Sequence, residues 1–199
     1  MKQTVLSEIL TTRLSHDLIG NIGAVANAVE LLNEGDDDDK EDICNILNFS
    51  SNVLSKRLKF FRLCFGLSNT TVKSVEELKE ITTNYLTTLG NPNTPIYFDM
   101  AIETPKIYKL VMPAVMMMAD VLIKGGKISV KQTAHSLLII PESSALLNGA
   151  KLANISKILK NEEPEENQSA YAPLYYLLAY LDESGVNVKL NGETLVIGE

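Results

Sequence analysis

The feature that most constrains the fold is the spacing of apolar residues over 3–33. Leu14, Leu18, Ile22, Val25, Val29 and Leu32 recur at intervals of three, four and seven. On a helix that turns about 100° per residue they fall within roughly 80° of one another. A seam that narrow is of the heptad kind, so the segment is expected to be one long helix packed along a single stripe. His16 lies near 200° from Leu14 on the same wheel, almost opposite the seam. It is therefore not core filling, and Ile9, Thr12, Gly20, Gly23 and Asn27 share its side of the helix. That side is small and open. A glycine inside a helix costs about 1 kcal/mol relative to alanine, and Gly20 and Gly23 suit a surface that admits another protein's backbone close to the imidazole. Asp17 follows on the flank between open face and seam.

The helix is expected to end near Asn33-Glu34-Gly35. The acidic run Asp36–Asp39 reads as a solvated loop, because it lacks the spaced ligands and glycine of an EF-hand, and its charge favours the start of a following helix. Ile43, Ile46, Leu47, Ser50, Val53, Leu54, Leu58, Phe61 and Phe65 then give a second helical seam that ends at Gly66. A hairpin of two such helices has more apolar surface than one copy covers. Two copies packed as a four-helix bundle resolve this, so a homodimer is expected, with Phe60 and Phe61 in the bundle core.

After Gly66 the period changes, and the chain is expected to divide into a helical hairpin, 1–68, and a second domain, 69–199. Ser74-Val-Glu-Glu77 has the form of a capping box opening a helix to about Leu89. Ile96 to Ile102 alternates as a strand, Thr104-Pro105 starts a very apolar helix reaching Lys124, and strands follow at Lys127–Gln132 and Ser136–Pro141. Helices are expected at about 147–160 and 169–183, then a strand pair, 186–190 and 193–197, joined through Asn191-Gly192. The class is α+β, a helical hairpin followed by an α/β sandwich.

Composition narrows the function. Among 199 residues the formal net charge is −7 with no basic stripe, which argues against a nucleic-acid binder. No stretch approaches the ~20 apolar residues that a bilayer requires, and no signal-peptide core precedes the first helix, so a cytoplasmic protein away from membranes is expected. Cys44 and Cys64 stand 20 residues apart on one expected helix, about 30 Å, and cannot pair within the hairpin. Both are expected as reduced, buried thiols. With two histidines and no ligand spacing, no metal site is legible, and a metal phosphohydrolase of the HD type would have only His135, an expected turn residue, to add to His16. Met116-Met117-Met118 reads as core filling on a buried helix.

An exposed imidazole is nucleophilic through its unprotonated ring nitrogen, and phosphoryl transfer asks mostly for positioning and charge stabilisation. His16 is thus a candidate phosphoryl acceptor, the plain alternative being a surface histidine. The run Arg13-Leu-Ser-His-Asp-Leu-Ile-Gly-Asn-Ile-Gly-Ala-Val-Ala-Asn-Ala-Val-Glu-Leu-Leu32 resembles the H-box of the dimeric histidine phosphotransferases of the ChpT type, whose pattern is approximately R-L-C-H-D-L-I-S-P-x-G-A-x-x-N-G-L-E-L-L. Arg13, Leu14, His16, Asp17, Leu18, Ile19, Gly23, Ala24, Asn27 and Glu30-Leu31-Leu32 match. Ser50-Ser51 and Lys56 to Gly66 resemble that family's second helix with its F-x-R-x-x-F-G ending, and the order of elements agrees to the C-terminus. Gly20-Asn21 stands where the family has Ser-Pro, a departure that bears on the bend of the helix.

The resemblance implies that His16 accepts the phosphoryl group and that Asp17 orients the ring or takes its proton. Among the cations nearby, Arg13 and Arg62 are covered by the resemblance and are the candidates for neutralising the arriving group, ahead of Lys56, Arg57 and Lys59. Ile9, Thr12, Gly20, Gly23 and Asn27 become the partner-binding face. The implied partners are the receiver domain of a hybrid histidine kinase as donor and receiver domains of response regulators as acceptors, which supply magnesium, so the chain needs no cofactor of its own. The second domain resembles a reduced ATP-binding domain of histidine kinases. No nucleotide motif is legible in it: Pro113 stands near where the asparagine would be sought, Ile139–Asn148 holds no D-x-G-x-G, and Gly125-Gly126 looks like a turn. It is read as a fold without nucleotide, reused as a docking wall. Two other functions stay open, a kinase-derived scaffold that sequesters a response regulator and an ATP-dependent kinase.

Overall fold

The computed structural model describes residues 2–34, 39–67, 72–182 and 184–198, apart from the side chain of Glu34. α1 (Gln3–Glu34) is a single helix of 32 residues, so Gly20-Asn21 does not interrupt it. α2 (Lys40–Phe65) begins after Asp39, with Glu41 and Asp42 in its first turn and Arg62 in its last, charges that suit the two ends of its dipole. The loop expected over Asp36–Asp38 lies outside the described residues, as does the expected division at residues 68 and 69. Gly66 closes α2 as expected, in extended backbone with φ −73°. Its lack of a side chain matters: a Cβ here would run into the Arg62 carbonyl oxygen.

α3 (Val75–Leu86) opens as the sequence suggests, with the Ser74 hydroxyl accepting from the Glu77 N–H at 3.1 Å. The Glu77 carboxylate reaches back to the N–H of Lys73, one residue earlier than a capping box requires. Then come β1 (Ile96–Ala101), a 3-10 turn at Pro105–Ile107, α4 (Tyr108–Ala119), β2 (Gly126–Gln132) and β3 (Ser136–Glu142). α5 (Gly149–Leu159), a 3-10 turn at Gln168–Tyr171, α6 (Ala172–Leu181), β4 (Asn187–Asn191) and β5 (Thr194–Gly198) complete the α+β chain. The sheet order is β1-β2-β3-β5-β4. β1 runs parallel to β2 with Ile96 beside Gly126, and the remaining pairs are antiparallel. The last hairpin turns at Gly192-Glu193, with Gly192 at φ +59° and Asn191 paired to Thr194, so the turn sits one residue later than expected.

α4 lies between the sheet, at β2 and β3, and the helices α2 and α6. A helix covered on all sides has no polar face to present, which is why α4 is apolar from Leu110 to Ala119, with Lys109 near its start as the exception. Met116, Met117 and Met118 are fully buried in it; at about 1.5–3 kcal/mol for each fully buried side chain, such a helix is a large part of the core's driving force.

The hairpin divides into two regions. Near its base Leu14 and Leu18 pack against the central core, and Phe60 and Phe61 are buried in it. Phe60 stacks on Tyr85 of α3 with ring centroids 3.9 Å apart and planes 12° from parallel, and Phe61 meets the same ring edge-on at 5.7 Å. Both phenylalanines therefore fill the contact with α3 within one chain, not the interior of a bundle between copies. Farther out Ile22, Val29, Ile46 and Phe49 are exposed on the single chain, as are Ile19, Leu31 and Leu58. Cys64 is buried, but Cys44 is exposed: it follows the buried Ile43 by one residue, about 100° round the helix.

Candidate functional site

His16 sits at the middle of α1 with 85% of its side chain exposed. Gly20, Gly23 and Asn27 beyond it are exposed, and a Cβ built at either glycine meets nothing within 4 Å. Thr12 is exposed before it and turns its hydroxyl back to the Glu8 carbonyl at 2.8 Å. Ile9 departs from the expected open face, because it is only 7% exposed. It lies one turn before Arg13 and about 40° from it on the helix, on the flank by which α1 meets α6 and the turn at Gln168–Tyr171.

Asp17 is 13% exposed and spans two neighbours: its Oδ1 lies 3.4 Å from His16 Nδ1 and its Oδ2 accepts from Arg13 Nε at 2.9 Å. Arg13 extends the cluster across the molecule. Its Nη1 donates to Asp120 Oδ2 at 2.8 Å and to the Ala170 carbonyl at 3.3 Å, and its Nη2 donates to Asp120 Oδ1 at 3.1 Å. Burial works against the Arg13 charge, yet the opposing fields and hydrogen bonds of Asp120, then Asp17, outweigh it and hold the pKa above the ordinary arginine value. Arg13 is thus engaged by two carboxylates, those of Asp17 and Asp120. Arg62 is exposed in the last turn of α2 and is not among the groups that bond Asp17 or Asp120.

Arg57, not Arg62, is the cation of α2 that reaches the turn of α1 bearing His16. Its Nη1 donates to the main-chain carbonyl of Asp17, while Nε and Nη2 hold the hydroxyl and carbonyl of Thr88 at 3.1 and 2.9 Å, just past α3. Beside it the Tyr85 hydroxyl is fully buried without a hydrogen-bond partner among the described residues. Burial first, and Asp120 second, push that phenol's pKa well up, so it remains a neutral dipole among Arg13, Asp17, Arg57 and Asp120. Arg57 was visible in sequence as one cation of a basic run. Asp120 gave only the signal of a carboxylate ending an apolar helix, where a negative charge opposes the dipole and calls for a cation.

No family model matches the chain. It is similar to "Protein phosphotransferase ChpT" of Brucella abortus (strain 2308), 25% identical over 194 residues that span 94% of this chain and 90% of that protein. Its fold is that of a solved bacterial phosphotransferase, with a TM-score of 0.74 at 21% identity over 99% of this chain and 96% of the other. The resemblance first read in residues 13–66 extends along nearly the whole molecule, in sequence to the ChpT phosphotransferase and in fold to the solved bacterial phosphotransferase.

Proposed function

We propose that the protein is a phosphorelay histidine phosphotransferase in which His16 takes a phosphoryl group from one receiver aspartate and passes it to another. The observation that carries this reading is an imidazole 85% exposed with its Nδ1 facing a largely buried carboxylate, on a helix face left bare by Gly20 and Gly23. Asp17 accepts from Nδ1–H, which leaves the Nε2 lone pair facing solvent. Nε2 attacks phosphorus, the P–O bond to the donor aspartate breaks, and that carboxylate leaves with the bonding pair. The positive charge gained by the ring is met by Asp17. Transfer onward reverses these steps on a second receiver. Phosphoryl charge is met from the partner's side, by the magnesium that receiver domains carry, because Arg13 is occupied.

Assembly is part of the proposal. Ile22, Val29, Ile46 and Phe49 form apolar surface on the outer hairpin that a second copy covers as a four-helix bundle, each copy presenting one His16. The unit from α3 onward serves as a wall beside the hairpin, without nucleotide. No described helix is long and apolar enough to cross a membrane, in keeping with a protein that works in the cytoplasm.

Incubation with a phosphorylated receiver tests the reading. The wild type takes an acid-labile label and His16→Gln does not; full labelling of that variant overturns the assignment. A scaffold that only sequesters a response regulator binds it but takes no label, and a kinase labels itself from Mg-ATP.

A further inference from the structure

We propose that Asp120 is a positioning residue for His16, acting through Arg13 and Asp17. This rests on His16 being the phosphoryl acceptor. Asp120 directly follows the last residue of α4, 107 positions from Arg13 in the chain, and Arg13 meets it as a two-pronged fork, Nη1 to Oδ2 at 2.8 Å and Nη2 to Oδ1 at 3.1 Å. The third face of the guanidinium, Nε, meets Asp17 Oδ2 at 2.9 Å, and Asp17 Oδ1 is left to His16 Nδ1 at 3.4 Å. Side-chain exposures of 13%, 13% and 19% for Arg13, Asp17 and Asp120 put the line of charges largely out of solvent, where salt screens it weakly.

The division of labour on Arg13 is what matters. With its fork on Asp120 and Nη1 also on the Ala170 carbonyl, the guanidinium meets Asp17 through Nε alone, and Asp17 Oδ1 stays beside the imidazole. Without the Asp120 carboxylate the fork is free to take both Asp17 oxygens in the bidentate geometry that arginine prefers, and Oδ1 is withdrawn from the ring. The Ala170 carbonyl at 3.3 Å, and Arg57 on the Asp17 main-chain oxygen, fix the backbone but supply no substitute carboxylate. The end of the central core helix thus sets which ring nitrogen of a solvent-facing histidine carries the proton.

Ring nitrogen-15 shifts of His16 in the full-length protein test this, together with transfer rates. Wild type is expected to hold the Nδ1–H tautomer. Asp120→Asn is expected to move the ring toward Nε2–H and to slow transfer at least tenfold, with Asp120→Glu recovering part of the rate. Added to Asp17→Asn, Asp120→Asn is expected to slow transfer no further, because the path to His16 is already cut. Arg13→Lys, which keeps charge but has no fork, is expected to shift the tautomer in the same direction, and it serves as the second variant if Asp120→Asn does not fold. An unchanged tautomer in both variants, or losses that multiply in the double variant, overturns the proposal and makes Asp120 a structural group only. If His16→Gln still takes label, the acceptor assignment fails, while the tautomer shifts still decide whether Asp120 positions the ring.

Discussion

Lys109 of α4 caps another helix: its Nζ lies 2.6 Å from the Gly66 carbonyl oxygen and 3.2 Å from that of Cys64, at the end of α2. The last carbonyls of a helix have no partner within it, and a cation there meets both the hydrogen-bonding deficit and the negative end of the dipole. The ammonium is also near the Tyr108 and Tyr176 rings, at 5.6 and 6.0 Å. The base of the hairpin is thereby fastened to the core helix.

Lys109→Met keeps the stem and removes the donors. Hydrogen bonds to a charged group are worth about 1.5–3 kcal/mol, so urea unfolding should show a loss of that order. An unchanged midpoint means that the clamp contributes nothing measurable.

The two thiols should differ sharply. Burial pushes the Cys64 thiol well above the usual range, with Lys109 opposing only in part, whereas Cys44 is exposed. Alkylation of the native protein near pH 8 should modify Cys44 alone, and Cys64 should react only after unfolding. Rapid native modification of Cys64 would show that the base of the hairpin opens.

Dimerisation should be separable from folding. Ile22→Lys with Ile46→Lys changes residues that are exposed on the single chain, and light scattering at micromolar concentration should find a folded monomer where the wild type is a dimer. Phe61→Asp should instead unfold the chain, because it buries a charge against Tyr85. A wild type that scatters as a monomer contradicts the bundle.

Much of this was legible because it depends on short-range spacing. The seam through Leu14 and Leu18, the exposure of His16 opposite it, the cap at Ser74 and the strands 96–101 through 194–198 follow from period and turn chemistry. What was not legible depends on contacts far apart in the chain. Arg13 and Asp120 are 107 residues apart, so nothing local says that this arginine is taken. Ile9 shares His16's side by angle but lies where α1 meets the rest of the molecule, and a helical wheel has no term for position along the axis. Phe60 and Phe61 read correctly as core, but only the placement of α3 says which core.

Gly20→Leu sets stability against access. The position has open space around a built Cβ, so losing a mid-helix glycine should stabilise the fold by up to about 1 kcal/mol and raise the melting temperature. A partner's aspartyl phosphate must come within about 3–3.5 Å of the ring, so the same variant should slow transfer at least tenfold, or about 1.4 kcal/mol of barrier. Wild-type transfer by a folded Gly20→Leu dimer removes the steric role of the open face.

The central claim is a shuttle through His16, and relay of a labelled phosphoryl group from a donor receiver to a second receiver measures it directly. With the wild type present, label should leave the donor, pass transiently through an acid-labile species on this chain and arrive on the acceptor; with His16→Gln it should stay on the donor. Arrival on the acceptor at equal rates with wild type, with His16→Gln and with no protein added contradicts the account.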